Sequence, residues 1–284
     1  MCAQGMARVL LVFRRQSPLQ PLDERKAMKK LIHAWSAAAL LLLSTSGAVA
    51  QTKAEPEFTF TGNAGLFSDY RFRGYTQTGY RPAFQGGFDF AHKSGFYLGN
   101  WNSNVEQALY NGASLEMDFY GGYKGSVGDF GYDVGYLYYH YPNSGALGSV
   151  KIKNGELYVG GSFGPLSAKW YYATTKFFSI GQGVPGVDTK GSWYLDLAGT
   201  LDLGGGWTAT AHYGYQRIND GKKAGLLEDR VSDYKLGIAK DVGGWALAVA
   251  VVGTSAKNLF TTAESGFAEG GGKTAVVLSV TKSF

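Results

Sequence analysis

The sequence predicts an all-β protein: a transmembrane, up-and-down antiparallel β-barrel of about 12 strands, preceded by a cleaved signal peptide. Three observations predict it. Hydrophobicity alternates with a period of two along most of the chain. Glycine is abundant (42 of 284 residues), aromatic residues reach 15%, and there are only 7 prolines, a mix that suits strands and turns better than helices. Tight turns and long polar connections alternate between the runs, as in outer-membrane barrels, where short turns form one rim and long loops the other.

The chain opens with a leader. Residues 1–27 precede a complete secretory signal and are read as an upstream extension ahead of the true start, Met28. Residues 28–50 form the signal peptide: Lys29 and Lys30 are its basic end, 37–43 its apolar stretch, and Ala48-Val49-Ala50 its cleavage site. The apolar stretch is too short for a membrane helix. Gln51 follows the cleavage site, so a lipid-modified cysteine is excluded there. The only cysteine, Cys2, lies upstream, which leaves the mature chain without disulfides or thiolate metal sites.

Residues 51–284 form the expected barrel. The formal charge of the whole chain is +5, but residues 1–50 hold seven bases and two acids, so 27 − 7 = 20 bases face 22 − 2 = 20 acids in the remainder. A neutral body offers no basic patch for nucleic acid. The alternating runs place strands at 57–67, 82–91, 96–103, 114–124, 129–140, 154–163, 166–176, 191–203, 206–217, 230–240, 244–255 and 273–284. Each is near the length a tilted membrane strand needs. Tight turns are expected at 92–95, 125–128, 164–165, 204–205 and 241–244. An even strand count puts both termini on the short-turn, periplasmic side.

In such a barrel apolar side chains meet lipid and polar ones line the lumen. The first long connection begins "SDYRFRGYTQ". Its Asp69, Arg71 and Arg73 are expected to face water in the barrel mouth, with Tyr70 and Phe72 facing the headgroup belt or neighbouring loops. The candidate lumen acids are Asp69, Asp89, Glu116, Asp118, Asp133, Glu156, Asp196, Asp202 and Asp233; the candidate bases are Arg71, Arg73, Lys124, Lys169 and Lys235. Nine acids against five bases predict a modest preference for cations. The alternative is a salt-bridged, closed interior. Gly87, Gly122, Gly131 and Gly135 fall on the lumen parity and either leave space or permit curvature. Trp101, Trp170, Trp193, Trp207 and Trp245 are expected to form the aromatic girdles. The chain ends "AVVLSVTKSF", and Phe284 closes an alternating last strand that reads as the insertion signal for the barrel-assembly machinery, with Lys282 departing from the pattern.

The blocks "TGNAGLFSDYRFRGYTQT" (61–78), "PAFQGGFDFAHKSGFYLGNWNSNV" (82–105) and the ending "VTKSF" resemble the TorF family of proteobacterial porins, in a layout that extends to Phe284. The resemblance implies a bacterial outer-membrane location and a porin-like channel passing small hydrophilic solutes or ions. A closed structural or loop-binding barrel is the alternative. A barrel hydrolase ranks third. The mature chain has three histidines, His92, His140 and His212, read as a turn, a strand-end and a lumen residue, and none is read as part of a serine–histidine pair. No cofactor motif, Walker loop or EF-hand spacing occurs. The expected partners are outer-membrane lipid, the assembly machinery and the solute.

Overall fold

The structure is a computed structural model that describes residues 56–258 and 270–284. The leader, the signal peptide and Cys2 lie outside the described residues. The elements in chain order are β1 (Phe58–Phe67), the short β2 (Arg71–Phe72) and β3 (Tyr75–Thr76), β4 (Ala83–His92), β5 (Phe96–Asn104), β6 (Leu115–Val127), β7 (Phe130–His140), β8 (Lys153–Phe163), β9 (Leu166–Ala173), β10 (Trp193–Gly204), β11 (Trp207–Arg217), β12 (Arg230–Val242), β13 (Trp245–Thr254) and β14 (Ala275–Ser283). Twelve of these strands, all but β2 and β3, close into one antiparallel ring in which each pairs with its sequence neighbours. β1 closes it, pairing with β4 on one side and β14 on the other. At the seam Gly62 and Phe284 exchange backbone hydrogen bonds of 2.8 and 2.9 Å. A ring has no free edge, so every strand satisfies its backbone groups against its neighbours.

The expected strands agree with the observed ones to within a few residues. The largest gain is in β6, which runs through the expected 125–128 turn. Its pairing with β7 continues to Val127↔Phe130, so only Gly128 and Asp129 make the turn. β9 stops at Ala173, and residues 174–192 form a long loop containing one 3₁₀ turn, Phe177–Ser179.

The wall is inverted relative to a soluble protein. Phe60 is 68% exposed, Leu98 64% and Leu278 57%, whereas Glu116 is 1% and Glu156 0% exposed. Apolar residues face out on one parity and charged residues face in on the other. Trp207 and Trp245 face outward at the short-turn end, each with a lysine over its ring: Lys240 Nζ is 5.1 Å from the Trp207 centroid and Lys282 Nζ is 4.9 Å from that of Trp245. Trp193 faces outward at the long-loop end, paired with Tyr172, and Trp170 lies one step further in, paired with Leu195. Trp101 corrects the expectation. It pairs with Gly87 and Asp118 on the lumen parity, and its ring packs edge-on against Tyr70 at 5.3 Å. Gly87 makes this possible, since a Cβ there would lie 2.0 Å from the Asn100 carbonyl oxygen and 2.9 Å from Trp101 Cα.

Candidate functional site: the hairpin across the lumen

Residues 68–82 do not stay at the rim. β2 and β3 form a miniature hairpin whose turn, Arg73-Gly74, has positive φ at both positions (+46° and +83°). That is the left-handed geometry that two-residue hairpin turns prefer. Glycine takes it freely, whereas for arginine it costs about 1–2 kcal/mol. The hairpin begins on the β1/β4 wall and ends on the opposite one. Arg73 Nη2 donates to Glu156 Oε2 on β8 at 2.7 Å, and Nη1 donates to Gln216 Oε1 on β11 at 2.5 Å. In the ring of twelve, β8 to β11 stand opposite β1 and β4. Arg73 therefore bridges the lumen. Its guanidinium also lies 4.2 Å from the Tyr194 ring centroid and 4.8 Å from that of Phe72.

The Asp69/Arg71/Arg73 cluster thus separates into two parts. Asp69 and Arg71 form an ion pair within the hairpin. Asp69 Oδ1 also accepts from Thr76 Oγ1 (2.5 Å) and Thr78 Oγ1 (3.1 Å), and Arg71 Nη1 donates to the Gly74 and Lys273 carbonyls at 3.0 and 2.9 Å. These two residues hold the hairpin in shape; Arg73 anchors it. Of the two placements expected for Tyr70 and Phe72, they take the one against protein and neighbouring loops rather than the headgroup belt. Once the loop folds inward, both of its faces meet protein. Tyr70 is buried and its hydroxyl donates to Glu116 Oε1 at 3.0 Å. Phe72 packs edge-on against Tyr139 and Phe178 at 5.7 and 5.6 Å.

Most of the remaining candidate lumen charges are tied to partners one or two strands away around the ring. Tyr120 donates to Asp89 at 2.6 Å. Asp133 accepts from Tyr97 at 2.5 Å and from Lys169 at 2.7 Å. Glu156 also accepts from Tyr139 at 3.1 Å. His212 lies between Asp196 (3.0 Å) and Asp233 (2.8 Å), and Tyr194 also donates to Asp233 at 3.0 Å. The Lys235 side chain has no hydrogen-bond or ion-pair partner among the described residues, and Glu116 and Asp118 also stand apart. Both are buried with no cation paired to them, and Glu116 Oε2 and Asp118 Oδ1 find no hydrogen-bond partner among the described residues. Asp202 departs from the expectation. It has the inward parity but lies at the exposed short-turn rim, where its Oδ1 accepts from the Gly204 N–H at 2.8 Å and caps the turn.

Around the hairpin the long loops build a cap. Tyr110 and Tyr141, from two different loops, stack at 4.2 Å. Phe177, Ile218 and Leu226 are buried together. Tyr70, Tyr110 and Tyr141 all lie outside the strands, and burial first, then the nearby Glu116 carboxylate, pushes each phenol well above its usual range. They therefore act as neutral hydrogen-bonding groups.

The sequence reading also missed one serine–histidine pair. Ser94 stands two residues after His92, and the two side chains meet at 2.6 Å, with Glu57 3.5 Å from the other ring nitrogen. This resembles a triad, but among the described residues its turn offers no free N–H for an oxyanion hole. The Lys93 N–H donates to the Glu57 carbonyl, the Ser94 N–H to His92 Nδ1 and the Gly95 N–H to the His92 carbonyl. All three donors of this exposed turn are used, and none is left for a developing oxyanion.

Solved porins and an outer-membrane protein align with the chain. The NanC porin aligns with a TM-score of 0.50 at 9% identity, over 80% of this chain and 99% of its own. The KdgM porin, solved in complex with disordered oligogalacturonate, gives 0.48 at 11%, over 80% and 99%. OprD from Pseudomonas aeruginosa gives 0.38 at 16%, over 78% and 65%. At these identities the likeness bears on the fold alone, and only the NanC alignment is strong enough to use for it. No curated protein matches the chain. A family profile described as "Bacterial protein of unknown function (Gcw_chp)" matches residues 51–284, so the chain belongs to the Gcw_chp family.

Proposed function

We propose that the protein is an outer-membrane channel for small hydrophilic solutes and ions, modestly cation-preferring, with the β2–β3 hairpin as its constriction. The observation that carries the reading is the inverted wall: a closed ring with apolar residues outside, charged residues inside, and tryptophans toward both ends. Such a surface is stable only against acyl chains. Removing Asp202 and the internally paired Asp69 leaves 9 − 2 = 7 of the candidate lumen acids; removing Arg71 leaves 5 − 1 = 4 of the bases. Reconstitution into a planar bilayer tests it. The expected result is discrete conductance steps and, in a potassium chloride gradient, a reversal potential of cation-selective sign.

The second reading is a closed barrel, and the buried hairpin favours it. Asp69, Thr76, Gln77 and Thr78 are all nearly inaccessible where the loop crosses the lumen. A folded preparation that neither conducts nor lets liposomes swell with sugars or amino acids would select it. In either case outer-membrane lipid is the surrounding partner. The Phe284 end, paired at the seam, is the segment offered to the assembly machinery.

A further inference from the structure

Between the hairpin and the loops of the far wall lies a half-open cavity of about 180 Å³. Its walls are apolar and come from several separate segments: Phe72, Ile152, Phe178, Ile180, Ile218 and Val231. Its polar groups converge at Arg73, Gln216 and Asp233. This is the pattern of a small-molecule site, apolar on its sides with a few oriented polar groups. We propose that it binds one ring-sized, neutral amphiphile of the phenol class, and so names a solute for the channel proposed above, a meaning that rests on that reading.

Size, charge and strain each support the assignment. A cavity of about 150 Å³ holds a single benzene ring. At about 180 Å³ this one accommodates a ring with a small polar substituent. The charged groups at the polar end already have partners: Arg73 is paired with Glu156, and Asp233 accepts from Tyr194 and shares His212 with Asp196. A bare ion would lose its hydration against the apolar walls. A neutral hydroxyl needs only hydrogen bonds, which the guanidinium, amide and carboxylate supply. Two of the lining residues, Arg73 and Phe178, are non-glycine residues at φ +46° and +45°. Backbone held in sparsely populated regions clusters at ligand clamps. Phe178 in this geometry packs its ring against Phe72, Tyr139 and Phe177, at 5.6, 5.0 and 4.8 Å, and completes an aromatic collar.

The test is ¹⁹F NMR of 4-fluorophenol added to the full mature chain in lipid nanodiscs, with empty nanodiscs as the partition reference. The expected result is one saturable bound signal above partition. Phe178→Ala should weaken it at least about tenfold, a loss of about 1.4 kcal/mol. Ile152→Trp, which fills the cavity, should abolish it. Heat-modifiable migration on gels verifies that both variants fold, and glucose should not compete. A signal equal to that of empty nanodiscs, or one unchanged in both variants, overturns the proposal. So does binding that appears only after residues 260–268 are deleted, because the cavity would then be filled by the chain itself. Conductance is recorded separately. Binding without conductance sinks the channel reading and leaves the site; conductance without binding does the reverse.

Discussion

Replacing Arg73 with asparagine probes the hairpin without disturbing its turn, because asparagine tolerates the left-handed backbone that arginine adopts there at φ +46°. The guanidinium is the hairpin's link to the far wall, donating to Glu156 and Gln216 at 2.7 and 2.5 Å. The Arg73 side chain is 9% exposed and that of Glu156 is 0%, so the pair is shielded from water. Breaking a buried pair by removing one partner costs about 3–5 kcal/mol. Relief of the strained backbone returns about 1 kcal/mol. The net loss of about 2–4 kcal/mol lowers the ratio of docked to undocked hairpin about 30- to 1000-fold, at about 1.36 kcal/mol per decade. The lumen also loses one positive charge. Single-channel recording should therefore show a larger, noisier conductance and a reversal potential shifted further toward cations. Glu156→Gln should also loosen the hairpin but shift selectivity toward anions. If Arg73→Asn matches the wild type in both conductance and reversal potential, the hairpin is not held by this arginine and does not set the constriction.

Other perturbations give separate outcomes. Gly87→Ala places a Cβ 2.0 Å from the Asn100 carbonyl oxygen on the neighbouring strand, a backbone atom that cannot move away; the variant should lose the heat-modifiable folded band on gels. Tyr70→Phe removes the hydroxyl whose proton Glu116 Oε1 accepts, and should destabilise the cap by about 1–3 kcal/mol, seen as a lower thermal midpoint. The buried phenols of Tyr70, Tyr110 and Tyr141 hold their protons more tightly folded than unfolded, so their contribution is present below the ordinary tyrosine range near 10 and is lost as pH rises beyond it. Absorbance at 295 nm during an alkaline titration should show a late group of tyrosines whose ionisation coincides with loss of the fold. The purified wild type and Ser94→Ala should both hydrolyse esters only at the background rate; a rate that the wild type has and Ser94→Ala lacks would restore the hydrolase reading.

The barrel was legible because each strand has one wet and one greasy face. Phe58, Phe60 and Leu66 alternate against lumen residues, and the same parity rule separated Phe119 from Glu116 and Asp118. The rule failed where alternation did not reflect lipid and water. Tyr70 and Phe72 alternate with Asp69 and Arg71, yet both faces are buried by the hairpin and the cap, so parity there says nothing about the membrane. The signal that could have found the hairpin is "FRGY" at 72–75, an X-Gly pair between two aromatic residues, which is a two-residue turn. It was obscured because each of its strands is only two residues long. Trp101 was misplaced for a related reason: Phe96, Tyr97 and Leu98 are all apolar, so the parity of β5 could not be fixed from its own residues. The cavity depends on loops that meet only in the folded cap, and no local pattern records that.

The central claim is a membrane wall whose two faces differ residue by residue. Because residues 51–284 contain no cysteine, single cysteines can be introduced along β9 from Leu166 to Tyr171 in a chain of those residues and spin-labelled in lipid. The account predicts that labels at 166, 168 and 170 collide with oxygen dissolved in the bilayer, whereas those at 167, 169 and 171 collide with a water-soluble nickel chelate or are shielded from both. A uniform profile along the strand, or one with the parity reversed, would contradict it.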